Sequence, residues 1–281
     1  MTHAVAWRDE LEASLGKVAH VHSIAGGDVN EAWRIELADT QRVFVKTHVA
    51  PPPGMYAAEA EGLAWLGEGP LRVPRVLAVS EAYLALEWLD LGARGKQRFD
   101  EQLGRGLAAL HGLGAPSLGL ARNNYLATLP QDNTPAHDLA AFWVERRLRP
   151  LVALLGDRAL IARLDRQLDG LAARPERFGP PEPPARLHGD LWWGNVGSCH
   201  GAPVLFDPAV YGGHREIDLA MLALFGGLGD PLIGAYQEIC PLDPGWRARI
   251  SLWQLYPLAA HAVLFGGGYL QQLARGLDVI G

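Results

Sequence analysis

Cysteine is nearly absent from this chain: Cys199 and Cys240 are the only two among 281 residues. No CxxC pair or Cys/His spacing of the zinc kind occurs, so no structural zinc centre is expected. A disulfide between the two is not expected either, because the chain reads as cytoplasmic. Long apolar runs are also missing. No stretch approaches the ~18 apolar residues of a membrane-spanning helix, so no membrane association is expected. The opening MTHAVAWRDELEASLG has no basic segment followed by an apolar one, and no secretion signal is expected. Positive charge is in deficit, with 25 Lys and Arg against 31 Asp and Glu and a net charge of -6. No Lys/Arg-rich run stands out, so nucleic acid is not an expected partner. Internal repeats are absent. What remains is ordinary globular composition, 49% hydrophobic and 20% charged, with enough apolar material for a sizeable core.

The order of elements divides the chain. An amphipathic helix is expected over 7–16. Strands are expected over 18–24, 32–37, 42–46, 73–79 and 83–88, with one prominent helix inserted at 55–67. Gly26-Gly27-Asp28 reads as a turn. From about residue 98 the periodicity becomes helical: 99–113, 138–155 and 158–173, then a proline-rich connector over 174–186. Short β pieces follow at 186–187, 195–197 and 203–206, then helices over 216–227, 229–240 and 246–275. An α+β chain of two lobes is expected, a small strand-rich one over 1–88 and a larger, mainly helical one over 89–281.

The densest polar cluster in an apolar setting is His188-Gly189-Asp190, with Asn195 five residues after Asp190. Asp207 follows at the end of the apolar run Val204-Leu205-Phe206. Phosphoryl transfer needs a group to orient the attacking hydroxyl, hard oxygen ligands for magnesium, and positive charge against the triphosphate. Asp190 can orient the hydroxyl, and Asn195 and Asp207 can supply oxygens to magnesium. Asp190, Leu191 and Asn195 match the spacing of the H-R-D-L-x-x-x-N catalytic loop of protein kinases, with Gly189 replacing the arginine. A protein-kinase-like fold then predicts an upstream lysine on a strand and a glutamate on a helix, holding the phosphates of ATP. Lys46 closes Val43-Phe44-Val45-Lys46, and Glu59 and Glu61 are the candidate partners. Gly26 and Gly27 could cover phosphates through backbone N–H groups. Glu87 and Leu89 fall where the lobes join, where backbone groups would meet adenine.

Over almost its whole length the chain resembles the fructosamine kinase (ketosamine 3-kinase) family. LHGDLWWGNV at 187–196 is similar to the HGDLWxGN signature of that family, and DPAVYGGHREIDLAM at 207–221 to its DPAxYxGxRExDLAM stretch. LGRGLAALH at 103–111, Gln131-Asp132-Asn133, FWVERRL at 142–148 and FGGGY at 265–269 are further similarities. The HGD and later Asp are shared with aminoglycoside phosphotransferases and choline kinases. The Trp after HGDL, the GHRE segment and FGGGY favour fructosamine kinases.

The resemblance implies ATP-dependent phosphorylation of carbon 3 of a ketoamine, free or protein-bound. It makes Asp190 the catalytic base, Asn195 and Asp207 the magnesium ligands, and Glu59 rather than Glu61 the partner of Lys46. It also puts Trp192 against the sugar, an indole face on C–H groups, though core packing is the alternative. His214, Arg215 and Glu216 would either shape the substrate pocket or brace the loop. Asp218 is expected to brace the catalytic loop, and His137 and His261 to be structural. The loop near Gly26 carries no cysteine, which argues against thiol control there.

Overall fold

The computed structural model describes residues 6–24, 30–95 and 97–280. Gly26 and Gly27 lie outside the described residues. Helix α1 (Ala6–Leu15) precedes strands β1 (Val18–Ile24), β2 (Glu31–Leu37) and β3 (Arg42–Thr47). Helix α2 (Met55–Leu66) follows, then β4 (Val76–Val79) and β5 (Tyr83–Glu87). These strands form one antiparallel sheet in the order β1-β2-β3-β5-β4.

Strand alternation decides which side chain goes where. Val43 and Val45 join Ile35, Leu37, Tyr83 and Ala85 on the face covered by Trp7 and Leu11 of α1. Phe44, Leu84 and Leu86 lie on the other face with Tyr56 and Leu63 of α2. Lys46, in register with Leu84, therefore points to the α2 side.

Beyond β5 the chain is mainly helical: α3 (Gln97–Gly112), α4 (Leu139–Trp143), α5 (Arg149–Val152) and α6 (Arg158–Ala172), then α7 (Glu216–Leu224), α8 (Asp230–Ile239), α9 (Trp246–Phe265) and α10 (Gly268–Ile280). Short strands lie between them: β6 (Asn124–Leu126) pairs with β7 (Leu129–Gln131), β8 (Ala185–Leu187) with β11 (Tyr211–Gly213), and β9 (Val196–Cys199) with β10 (Ala202–Leu205). Phe99, Leu103, Leu107 and Leu110 of α3 pack with Leu191, Leu205, Leu219, Leu232 and Tyr236, so the core of this lobe runs directly beneath the loops after β8 and β10.

Two expectations need correction. The helix expected over 246–275 is two, because Gly266 and Gly267 take φ values of 64° and 59° and end α9. The helix expected over 138–155 is interrupted by a π-helical turn, Val144–Leu148. That turn carries Arg147, a fully buried cation lying over the rings of Tyr211 and Phe142 at 4.0 and 4.5 Å. Arg147 donates to the Asp132 carbonyl at 2.7 Å and to Asn133 Oδ1 at 2.6 Å.

The lobes are fastened at several places; in one, Arg186 donates to the Trp65 carbonyl and to Glu68, both at 2.7 Å. Along the link, the Gly92 N–H donates to the Ser198 carbonyl, and the Leu205 N–H to the Arg72 carbonyl, both at 2.9 Å. At the β6–β7 hairpin, the Tyr125 hydroxyl donates to the Pro53 carbonyl at 3.0 Å, and Arg122 pairs with Glu61 of α2. Leu63 is 1% exposed and seats α2 on the sheet. Leu63→Ala should cost about 2–5 kcal/mol, read as a lower urea midpoint with an unchanged slope. A loss below about 1 kcal/mol would mean that this contact does not seat the helix.

Candidate active site

The site is built on a buried carboxylate. Asp218, near the start of α7, has no exposed surface. Its Oδ2 accepts the His188 N–H at 2.8 Å and its Oδ1 the Gly189 N–H at 2.9 Å. His111 Nε2 lies 3.2 Å from Oδ2, and His111 Nδ1 is 2.8 Å from the Tyr236 hydroxyl. Burial opposes the charge, but the bond to His111 and the nearby imidazoles and amide outweigh it and hold the carboxyl below the usual range. Asp218 thus grips the two residues before Asp190, and the bracing role expected of it is the geometry found.

His188 completes the loop. Its Nδ1 accepts the Asp190 N–H at 3.2 Å, so its Nε2 carries the proton and donates to the Phe206 carbonyl at 2.8 Å. Burial lowers the pKa of the ring and keeps it neutral. Gly189 stands where protein kinases carry arginine. Its φ is +82°, and a Cβ there would lie 2.0 Å from the Ala209 carbonyl oxygen. Only glycine allows the loop after β8 to touch the segment after Asp207 so closely.

Five charged or polar side chains meet above this base. Lys46 Nζ lies 2.9 Å from both Glu59 oxygens and 3.0 Å from Asp207 Oδ1. Burial pulls against its charge, but Asp207 and Glu59 outweigh burial and raise its pKa above the ordinary lysine value. Asn195 Nδ2 donates to the Asp190 carbonyl at 2.8 Å and to Asp190 Oδ2 at 3.0 Å, which leaves its Oδ1 available. Asp207 sits at φ 50°, a left-handed conformation that Asp tolerates better than most residues. Burial, then the Asp207 charge, push the Asp190 carboxyl up to about 7, against the Asn195 hydrogen bond. Among the described residues no three His, Cys, Asp or Glu side chains gather as a metal cage. A magnesium ion carried by phosphates needs only one or two protein oxygens, which suits Asn195 and Asp207.

One cleft takes in Lys46, Glu59, Asp190, Trp192, Asn195 and Asp207. Trp192 is 38% exposed, so it is not core packing. Its ring lies over Gly194, where a Cβ would come within 2.2 Å of the indole. Glu61 pairs with Arg122 instead of Lys46. Glu87, whose carboxylate meets Arg72 and Arg75, and Leu89 lie at the link, outside the lining of this cleft.

His214, Arg215 and Glu216 are not part of the cleft lining either. His214 stacks on Trp253 at 5.0 Å, and Arg215 clamps Glu182 at 2.6 and 2.7 Å. Glu216 accepts from Arg249 at 2.6 and 2.9 Å and from Trp253 Nε1 at 2.8 Å. Of the two roles open to this trio, the geometry supplies the brace: it anchors the start of α7, the helix that carries Asp218.

Sequence reasoning missed several lining residues: Asn30, Met55, Asn124, Tyr125, Met221 and Phe265. His261, expected to be structural, also lines the cleft. Asn124 is tied to the buried Arg147, since Asn133 bridges them: Asn133 Nδ2 donates to Asn124 Oδ1 at 2.8 Å, and Asn124 Nδ2 to the Val210 carbonyl at 2.8 Å. The Gln-Asp-Asn motif at 131–133 was the signal available for that hairpin.

The sequence profile of the fructosamine kinase family matches residues 2–280. A "Probable ketoamine kinase" of Enterococcus faecium is 38% identical over 264 residues, 91% of this chain and 93% of that protein. The crystal structure of a candidate fructosamine-3-kinase from Thermobifida fusca superposes with a TM-score of 0.87 at 39% identity, covering 100% of this chain and 99% of the other. A macrolide 2'-phosphotransferase from Brachybacterium faecium superposes at 0.63 with 16% identity, over 97% of each chain, a likeness of fold alone. The architecture is the bilobal, kinase-like α+β fold. No helix among the described residues is long and apolar enough to cross a membrane.

Two outcomes follow from the loop. Gly189→Ala should abolish phosphoryl transfer and lower stability by about 2 kcal/mol or more; a variant with normal turnover would show that the contact with Ala209 is dispensable. The raised Asp190 pKa predicts a pH effect of definite sign. An unfolded Asp titrates near 4, so between about pH 4 and 7 the unfolded chain binds fewer protons than the folded one, and stability falls as pH rises. In the ligand-free protein, Asp190→Asn should therefore stabilise by roughly 2–4 kcal/mol at pH 8 and by almost nothing near pH 4. Urea midpoints at the two pH values measure it, and equal midpoints for both proteins at pH 8 would rule it out.

Proposed function

The chain belongs to the fructosamine kinase family, and on that premise we propose that it transfers the γ-phosphoryl group of ATP to the 3-hydroxyl of ketoamines, the adducts formed when a sugar glycates an amine. The observation that carries this reading is the meeting of Lys46, Glu59 and Asp207 within 3.0 Å beside the hydrogen-bonded pair Asp190–Asn195. In this reading residues 1–88 are the nucleotide lobe and 89–281 the catalytic and substrate lobe. The glycine turn at Gly26 and Gly27 covers the phosphates, and the backbone at Glu87 and Leu89 meets adenine. Two unpaired cysteines suit work in the cytoplasm.

Each residue then has a physical task. Lys46, held by Glu59, puts its ammonium against phosphoryl oxygens. Asn195 Oδ1 and Asp207 would hold magnesium, which when bound withdraws charge from the phosphates. Asp190 aligns the acceptor hydroxyl and takes its proton as the new P–O bond forms. Its raised pKa makes it a stronger proton acceptor than an exposed Asp. Trp192 offers an indole face to the sugar. With phosphate on carbon 3, enolisation of the ketoamine to its C1=C2 enaminol lets the nitrogen lone pair expel inorganic phosphate. Water then hydrolyses the resulting C1=N imine and frees the amine, which is how the reaction would lead to deglycation of small molecules or proteins.

With magnesium and ATP the protein should phosphorylate a fructosamine or ribulosamine far faster than an aminoglycoside or choline, and mass spectrometry should find the phosphate on oxygen 3. Failure on every ketoamine would end this reading. Asp190→Asn should keep nucleotide affinity and lose turnover by about 10²–10⁴-fold; undiminished turnover would remove Asp190 from the chemistry.

A further inference from the structure

We infer that the acceptor half of the cleft is an aromatic cage for a cation, and that it selects ketoamines over uncharged sugars by the positive charge on their amine nitrogen. The inference rests on the ketoamine reading and adds what the pocket recognises. Four aromatic side chains form a continuous arc from the catalytic loop outward. Trp192 meets Phe225 at 5.8 Å between ring centroids, Phe225 meets His261 at 5.7 Å, and His261 meets Phe265 at 5.6 Å. Tyr269 backs His261 at 4.9 Å. Trp192, His261 and Phe265 line the same cleft as Asp190.

Three features make this arc fit an ammonium better than a neutral group. The rings are accessible: Trp192 and Phe265, which line the cleft, are 38% and 50% exposed, and Phe225, next to Trp192, is 44% exposed. An aromatic face attracts a cation within about 6 Å of its centroid. His261 is held in one tautomer. Its Nδ1–H donates to the Pro257 carbonyl at 2.7 Å, so Nε2 presents a lone pair that can accept an ammonium N–H.

The third feature is the state of the carboxylates. Those lining the cleft are Glu59, Asp190 and Asp207. Lys46 takes Glu59 and Asp207, and Asn195 takes Asp190. Glu59 and Asp207 are thus paired with a cation and Asp190 serves the acceptor hydroxyl, so the ring faces are the negative surface left for the amine. In a ketoamine only four bonds separate the amine nitrogen from oxygen 3. With that oxygen at Asp190, the nitrogen comes to rest beside the wall that begins two residues later at Trp192.

The test uses two sugars of matched shape: 1-deoxy-1-(propylamino)fructose, protonated at neutral pH, and its neutral ether, 1-O-propylfructose. The KM for the amine should be lower by about tenfold. Site-specific fluorinated phenylalanine at 265 weakens that ring face without changing its shape. The KM for the amine should climb with each added fluorine, while the KM for the ether stays flat. Equal KM values for the two sugars, or an amine KM that does not respond to fluorine at 265, would overturn the cage and leave the kinase reading intact. Phosphorylation of neither sugar would overturn the ketoamine reading and the cage with it.

Discussion

The architecture hangs on the burial of one charge. Asp218 has no water, so every lone pair it offers must be met by the protein, and the two backbone N–H groups that meet it belong to the residues that aim Asp190. Removing one partner from a buried charge commonly costs about 3–5 kcal/mol. The catalytic loop therefore cannot drift without leaving a carboxylate unsolvated. His188 extends the constraint to Phe206, and so fixes the start of the Asp207 segment from the same anchor. The charged brace at the head of α7 has its place here: it holds the helix that holds the carboxylate.

The second constraint is electrostatic balance between the lobes. Lys46 is 4% exposed and comes from the sheet, yet one of its carboxylates, Asp207, comes from the helical lobe 161 positions later. Two carboxylates on one ammonium keep it charged in a place where burial alone would not. Asp190, with an amide as its partner, has its pKa raised as well, but for a carboxyl that favours the neutral form. A fixed cation and a carboxyl that holds its proton to near neutral pH thus arise from the same low-dielectric floor.

Much of this could be read along the chain because the relevant chemistry is local. His188, Asp190 and Asn195 lie on one turn, and Asp207 closes an apolar strand, so their types and spacing carry the signal. Lys46 follows from strand alternation. Choosing Glu59 over Glu61 needed the family pattern, since both lie on one helix and only the approach of β3 separates them. His261 and Asn124 were not legible as lining residues, and Phe265 only as a member of the FGGGY segment. Their elements are far from the catalytic loop in sequence, and their function comes only from tertiary approach. The strands β6, β7 and β11 have three residues each, too few for alternation to register. The break between α9 and α10 was hidden because a glycine pair within an apolar periodic run is compatible with a continuous helix until its φ values are known.

The contacts between the lobes limit how the molecule can deform. Some lie along the link, through Gly92–Ser198 and Arg72–Leu205; another is at the hairpin, through Tyr125–Pro53; a third is at the end of α2, where Arg186 donates to the Trp65 carbonyl and pairs with Glu68. Leu66 and Leu71 add apolar packing against α3. The lobes are stitched rather than hinged: for any large withdrawal of Lys46 from Asp207, one or more of these stitches must give way first.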